Sequence, residues 1–591
     1  MRAWWIGLLG AALALGGCGK TDESPNSSAG GNGQGGSAQG GSATAGSGNA
    51  TAGSAGTASP DGPLPPAHAL NKLDLLLMVD NSMNMVTKQH LLSDAMKWLL
   101  VTTTATPNVS AGDLHIGVVT SSIGAHGATG MRDVCVLAED DDHAHLLGQV
   151  RPGLKSFQNT GFLAWATGTT GPTASVADDL DAMLTAAGEY GCGYESSLEA
   201  WYRFLIDPAP PAKVVVTDNI GARQGIDDVI LMQRAAFLRP DSVVAIVTLS
   251  DENDCSIVDD GFGWLVHRAE PMNRSTSVCA TNPNDPCCQS CAEPKANTGC
   301  PAPSSDVSCT QGVLTQPDDD LNLRCYEQKR RFGFDLLQPI SRYVNGLTRQ
   351  TVPDQSGAPV ENPLFAGHQR HPSQVLYTSI VGVPWQDIAD AASLTGPGMT
   401  FMTTAELTAN DRWKAILGDS SASPPAAPSD PFMIETPVDR STLPNAQKNP
   451  FVNESLAPST STNPQANHIN GHEHVNFGSE LQAACLFPLD KPQTCDEAAN
   501  QAGKGCRCFY EDAQFNRAVC QPPGGGAPTT TQSYELAYPG LRHIELTKRL
   551  GNVALLGSIC PKVVQDETNL DYGYRPTLRA LAAAIDKALK P

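Results

Sequence analysis

The sequence predicts an α/β fold: a doubly wound, mostly parallel sheet with helices on both faces and cysteine-rich loop insertions. Three observations carry that expectation. Continuous apolar runs of strand length recur along the chain, as strands buried on both faces require. Segments with apolar residues at helical spacing lie between them. Most cysteines crowd into two stretches rich in Pro, Asn, Asp and Gly, which read as small cross-linked inserts that lack a core of their own.

In chain order, residues 73–79 (LDLLLMV) form the first apolar run, bounded by polar residues as a central strand would be. Asp80-Asn81-Ser82-Met83-Asn84 follows as a polar loop. Residues 88–100 then set Leu91, Leu92, Ala95, Trp98 and Leu99 at helical spacing. Residues 114–120 (LHIGVVT) are a second strand. Helices are expected over 176–187, 195–206 and 226–238, the middle one with Leu198, Trp201, Tyr202 and Leu205 on one face. Residues 243–249 (VVAIVTL) are another buried strand, ending at Ser250-Asp251-Glu252-Asn253-Asp254-Cys255. After a first insertion at about 255–325 come a helix over 326–347 and a strand over 374–383 (QVLYTSIVGV). A second insertion at about 386–533 precedes a helix over 541–549, a strand over 553–559 and an amphipathic helix over 577–589. Tyr190, Trp201 and Trp264 are expected in the core.

The first residues read as an address. Arg2, an apolar stretch over 3–15 and Leu15-Gly16-Gly17-Cys18 make a bacterial lipoprotein signal peptide over 1–17, with Cys18 the lipidated residue. The apolar stretch is shorter than the ~20 residues a spanning helix needs. Gly19 rather than aspartate favours the outer membrane. Residues 18–68 hold Gly, Ser, Ala, Thr and Asn with almost no large apolar side chains, the composition of a flexible linker. Residues 69–590 remain as the folded region. The expected location is the cell envelope, outside the cytoplasm, with a lipid anchor as the membrane contact.

Net charge and cysteines narrow the partners. A charge of −22 speaks against nucleic acid and against an anionic membrane surface, and suits cation binding. Of 17 cysteines, Cys18 is taken by the anchor and an even number is left, which in an exported chain reads as disulfides. Cys288-Gln289-Ser290-Cys291 and Cys506-Arg507-Cys508 are the alternative, as zinc knuckles, although their spacing is irregular.

Asp80 and Asp251 both fall directly after buried strands, where open α/β sheets bind ligands. Asp80-x-Ser82-x-Asn84 puts three oxygen-bearing side chains at alternate positions of a tight loop, so they converge on one cation. A hard divalent ion needs about six oxygens. Asp251 offers another, and Gly191-Cys192-Gly193-Tyr194-Glu195, leading into a helix, offers a third loop.

On these residues the chain resembles the von Willebrand factor type A (VWA) domain, which implies a doubly wound, Rossmann-like sheet with a metal-ion-dependent adhesion site. That family's motif is Asp-x-Ser-x-Ser after the first strand, a Thr on a second loop and an Asp on a third. Asp80 and Ser82 match, Asn84 stands for the second Ser, and Asp251 matches the third-loop Asp. Glu195 falls at the place of the Thr, with Ser196 and Ser197 as alternatives. A carboxylate there favours Ca²⁺ or a tightly held Mg²⁺ and weakens the pull on an acidic ligand.

The resemblance implies a non-enzymatic, surface-tethered protein that binds an extracytoplasmic protein or cell-surface ligand through a divalent cation. Two alternatives stand beside it. One is an exported zinc-dependent hydrolase built on His468, His472 and His474, which match neither HExxH nor HxHxD. The other is a metal-free scaffold that binds through its cysteine-rich inserts. The acidic run from Glu139 to Asp142 is a candidate secondary Ca²⁺ site, and Ser82 with His90 a weak hydrolase candidate without a GxSxG elbow.

Overall fold

The structure is a computed structural model and describes residues 66–105, 113–128, 135, 141–166, 173–315, 318–440, 472–474, 476, 478–496, 506–508, 516–523 and 526–591. The expected signal peptide, Cys18 and the linker up to residue 65 lie outside the described residues. Among the described residues no helix is long and apolar enough to cross a membrane.

The chain enters through β1 (Lys72–Val79), α1 (Val86–Ala105) and β2 (Asp113–Thr120). It continues through β3 (Leu163–Ala166), α2 (Thr173–Thr185) and α3 (Ser197–Leu205). A hairpin, β4 (Lys213–Thr217) with β5 (Ile220–Gln224), leads to α4 (Asp228–Phe237) and β6 (Val243–Leu249). Beyond the first insertion come α5 (Ile340–Thr348), the small hairpin β7 (Thr351–Pro353) with β8 (Pro359–Glu361), and β9 (Val375–Val381). In the second insertion β10 (Cys485–Thr494) pairs antiparallel with β11 (Thr531–Ala537). The chain closes with α6 (Leu541–Leu550), β12 (Ala554–Ser558) and α7 (Arg575–Leu589).

Six strands form the main sheet in the order β12-β9-β6-β1-β2-β3. Five run parallel and β3 alone is antiparallel, paired with β2. Side chains alternate across β1 and so feed two cores. Leu73, Leu75, Leu77 and Val79 pack with Leu92 and Ala95 of α1, Leu180 and Met183 of α2, and Leu578, Leu581 and Ile585 of α7. Leu76 and Met78 pack on the other side with Leu198 and Trp201 of α3, Phe237 of α4, Tyr343 of α5 and Leu546 of α6. Both faces of the sheet are therefore covered by helices, as the unbroken apolar runs require. Winding goes outward from β1 through β2 to β3, then restarts on the other side of β1 at β6. The reversal lies between β1 and β6, where such sheets leave a crevice beyond the carboxyl ends of the strands.

Two expectations about the fold are corrected. The helix expected over 326–347 is one turn at Gln328–Phe332 followed by α5. Gly333 ends the turn at φ +82, where a Cβ would collide with the backbone of Gln289, and Pro339 marks the start of α5. The insertions do have cores. In the first, Ile257, Val266, Met272, Phe332 and Leu336 gather around Cys255. In the second, Leu486, Val519, Leu536 and Tyr538 gather around Cys495, Cys506, Cys508 and Cys520, and Leu407, Trp413, Ile416 and Met433 pack onto Val381, Ile544 and Leu556. The cysteines form disulfides as expected, those of the alternative zinc knuckles included: Cys279–Cys288, Cys291–Cys309, Cys495–Cys506 and Cys508–Cys520.

Cys135–Cys192, Cys255–Cys325, Cys287–Cys300 and Cys485–Cys560 complete the pairing, so every cysteine after Cys18 is bonded. Cys485–Cys560 fastens the start of β10 to the end of β12 across 75 residues of chain. Replacing both cysteines by serine is expected to lower stability by about 4–5 kcal/mol, read from urea unfolding, because the unfolded chain regains the freedom of that loop.

Candidate metal centre

β1 and β6 run side by side in register, Val79 opposite Leu249, so the residues that follow emerge together. The Asp80 N–H donates to Leu249 O at 2.9 Å, which holds the first loop against the end of β6. Asp80 and Asp251 are both buried. Asp80 Oδ1 accepts from the Ser82 N–H at 2.8 Å and Oδ2 from the Ser250 hydroxyl at 2.7 Å. Asp251 Oδ2 accepts from the Lys88 ammonium at 2.7 Å. Asn84 sits at φ +74, a left-handed conformation that Asn tolerates better than most residues, and it turns the loop into α1.

Besides Gln89 Oε1 on α1, three oxygens around this point have no hydrogen-bond partner although they are buried: Ser82 Oγ, Asn84 Oδ1 and Asp251 Oδ1. Each belongs to a residue that the motif singles out, and each is the atom left over once its neighbours are paired. An unpartnered buried polar atom costs about 1–3 kcal/mol. Three hard oxygens left over beside a buried carboxylate fit a divalent cation of the Mg²⁺ or Ca²⁺ kind better than a soft metal. Asn81 Nδ2 is also without a partner, but it is a donor.

The middle loop is tied to the first. The Gly191 N–H donates to Asn81 O at 2.8 Å, and a Cβ at Gly191 would collide with Asn81 Oδ1. Gln89 Nε2 bridges Asp80 O at 3.0 Å and Gly188 O at 2.8 Å, and the Val86 N–H donates to Glu189 Oε1 at 3.1 Å. Glu195 is buried, and the Cys255 N–H donates to its carbonyl at 2.8 Å. Burial, then Glu252, Asp80 and Asp251, push its carboxyl well above the ordinary range. Burial and Asp251 raise Asp80 to about 6, and burial, Asp251 and Asp80 raise Glu252 to about 8. Among the described residues no group of three or more His, Cys, Asp or Glu stands at a spacing that holds a metal ion. Glu195 thus lies beside the Asp80–Asp251 pair without forming a three-carboxylate set. The Ser196 N–H is bonded to Ser121 O at 3.0 Å. The Ser197 hydroxyl lies 2.7 Å from His543 Nε2 and donates to Asp254 Oδ1 at 3.2 Å.

Sequence reasoning missed the cations. Lys88 is fully buried, and besides Asp251 it donates to Asn84 O at 3.0 Å and to Glu535 Oε2 at 3.4 Å. Burial opposes its charge, but Asp251 and Glu535 outweigh that and raise its pKa. The signal was there: Lys88 shares helical spacing with Leu92, Ala95 and Leu99, on the apolar face of α1. Nothing in the sequence marks Glu535, on β11, as its partner. Nearby, Arg507 donates to Glu480 Oε1 at 2.9 Å and to the Tyr538 hydroxyl at 3.1 Å. The Tyr538 N–H donates to Asp251 O at 2.7 Å. The second insertion therefore closes over the end of β6.

The remaining candidates fare differently. His468, Glu139 and Asp140 lie outside the described residues. His472 Nε2 is bonded to Asn516 O at 2.8 Å, and His474 Nε2 lies 3.7 Å from Glu480. Asp142 is held by the Thr120 hydroxyl at 2.7 Å and by Arg151 at 2.6 Å. His90 is exposed whereas Ser82 is buried. Trp201 is fully buried and Trp264 half-buried, but Tyr190 is 67% exposed, a correction to its expected place in the core. It lies on the middle loop, where no apolar layer covers it.

No protein-family model matches this chain, and no curated protein or solved structure matches it either.

The raised carboxyls give the site a pH signature. Asp80 moves from 3.8 to about 6 on folding, so the folded chain keeps a proton there that the unfolded chain releases. That contribution to stability is full below pH 3.8 and is lost as pH rises through 6. In chelator, urea unfolding is expected to show a loss of about 2 kcal/mol from this group between pH 4 and 7. Asp80→Asn should flatten that part of the profile.

Proposed function

We propose that this chain is a lipid-anchored, envelope-exposed protein of the VWA type. It binds an extracytoplasmic protein or cell-surface ligand through a divalent cation held by Asp80, Ser82, Asn84 and Asp251, and it is not an enzyme. The observation that carries this reading is the set of three unpartnered buried oxygens on Ser82, Asn84 and Asp251. The cation supplies positive charge and open coordination for an oxygen of the partner. Asp80 contributes a carboxylate oriented by Ser82 and Ser250, and Lys88 pins one oxygen of Asp251 while the other stays free.

Other features support the reading. The crevice lies where the sheet reverses its winding, and the one antiparallel strand is at its edge. Glu195, at the place the resemblance gives to a Thr, sets beside the ligands a carboxyl that burial and its acidic neighbours hold protonated, and that would supply negative charge once a cation is bound. That favours Ca²⁺ or a tightly held Mg²⁺ and a partner that offers a carbonyl or hydroxyl oxygen. Around the carboxylates, Met83 (63% exposed), Val86 (36%) and Tyr190 (67%) present apolar surface on the two loops that the Val86–Glu189 and Gly191–Asn81 bonds hold together. Large exposed apolar side chains beside a polar centre are the anatomy of a protein contact. Eight disulfides suit an oxidising compartment outside the cytoplasm.

Calorimetric titration of Ca²⁺ and Mg²⁺ into the purified chain tests the site. Saturable binding is expected, and Asp80→Ala or Asp251→Ala should weaken it by about 100-fold or more. Unchanged affinity in both variants would remove the assignment. In an envelope extract, a partner should be retained with Ca²⁺ and released by chelator. Tyr190→Ser should reduce retention while leaving cation affinity as it was.

A further inference from the structure

Lys88 has a second consequence for the cation site. Its ammonium is fully buried and makes three contacts. Two are with residues of the proposed ligand set, Asp251 Oδ2 at 2.7 Å and Asn84 O at 3.0 Å. The third, Glu535 Oε2 at 3.4 Å, belongs to the hairpin of the second insertion. A buried positive charge in contact with two ligand residues repels an incoming cation through a medium that screens poorly. Asp251 is the shared partner: one oxygen is taken by Lys88 and the other has no partner.

The geometry on the far side of the ammonium is asymmetric in a useful way. Glu535 Oε1 accepts from Gln532 Nε2 at 3.1 Å, which fixes the carboxylate with Oε2 toward Lys88. The Lys88–Glu535 contact is the longer of the two ion pairs, so it has room to shorten. The same hairpin is tied to the Asp251 backbone through the Tyr538 N–H at 2.7 Å. A cation that draws Asp251 away from Lys88 leaves the ammonium one carboxylate to turn to, and that carboxylate is on β11.

We propose that Lys88 is an internal counter-ion that competes with the divalent cation for Asp251, and that its hand-over to Glu535 couples cation binding to the clamping of the second insertion. This rests on the cation site proposed above. Lys88 sets the affinity low, so that the site fills at the high cation levels of an extracellular medium and not with a trace ion. Cation binding in turn stiffens the β10–β11 hairpin.

Calorimetry with Ca²⁺ and Mg²⁺ on the full chain and on Lys88→Met, with hydrogen exchange over 485–494 and 531–537, tests this. Lys88→Met is expected to bind Ca²⁺ at least about tenfold more tightly, since the repulsion is removed. In the unaltered chain Ca²⁺ should slow exchange in the hairpin, and in Glu535→Gln it should not. If Lys88→Met leaves the chain poorly folded, the double variant Lys88→Met/Glu535→Gln is compared with Glu535→Gln alone, and the double variant should bind more tightly. Should the unaltered chain bind Ca²⁺ while removal of Lys88 leaves affinity equal or lower, Lys88 only positions Asp251 and the competition is refuted. Binding without any change in hairpin exchange refutes the coupling. If no form of the chain binds either cation, the site reading itself fails and this proposal falls with it.

Discussion

Everything at the candidate site follows from the parallel register of β1 against β6. Val79 lies opposite Leu249, and the hydrogen bond from Asp80 to Leu249 O closes the pair. Two aspartates are thereby delivered to one buried spot from parts of the chain far apart in sequence. Like charges brought together out of water are unfavourable, and the raised pKa of Asp80 is the measure of that. The neighbourhood responds with what a folded chain has at hand: N–H and O–H donors for Asp80, an ammonium for Asp251, and an arginine in the insertion that closes above. The negative charge is only partly met, and oxygens are left over. The fold leaves buried oxygens without partners as a by-product of where its central strands end.

How much of this the sequence disclosed depends on the range of the interaction. The central strands were legible because strands buried on both faces need unbroken apolar runs, and 243–249 is such a run to the residue. The loop residues Asp80, Ser82, Asn84 and Asp251 were legible because polar residues directly after such runs have few structural reasons to be there. Lys88 was half-legible, as a charge at helical spacing among Leu92, Ala95 and Leu99. Glu535 and Arg507 were not legible. They lie in a region whose pairing is set by a two-stranded hairpin with Pro488 at a register shift, a placement proper to an edge strand that leaves no strand pattern in the sequence. The short antiparallel β3 was invisible too, since four residues carry no period worth reading.

The cysteines show the same division. Their oxidised state was readable from their even number and from the expected export signal. Their partners were not, because pairing is a property of the fold. Cys255 reaches Cys325 at the two ends of the first insertion, whereas Cys279, Cys287 and Cys291 close small rings inside it. The outer bond makes the insertion a closed loop hung from the end of β6, and the inner ones add stiffness to the small apolar core around Cys255.

Lys88 and Glu535 are separated by 447 residues. Contacts at such range are the slowest to form, because the chain between them must be gathered first. In a chain made from its first residue onward, Asp80 and Asp251 emerge long before β11 can close over them. The crevice is thus complete only once nearly the whole polypeptide has been made, so its closure marks a late stage of folding.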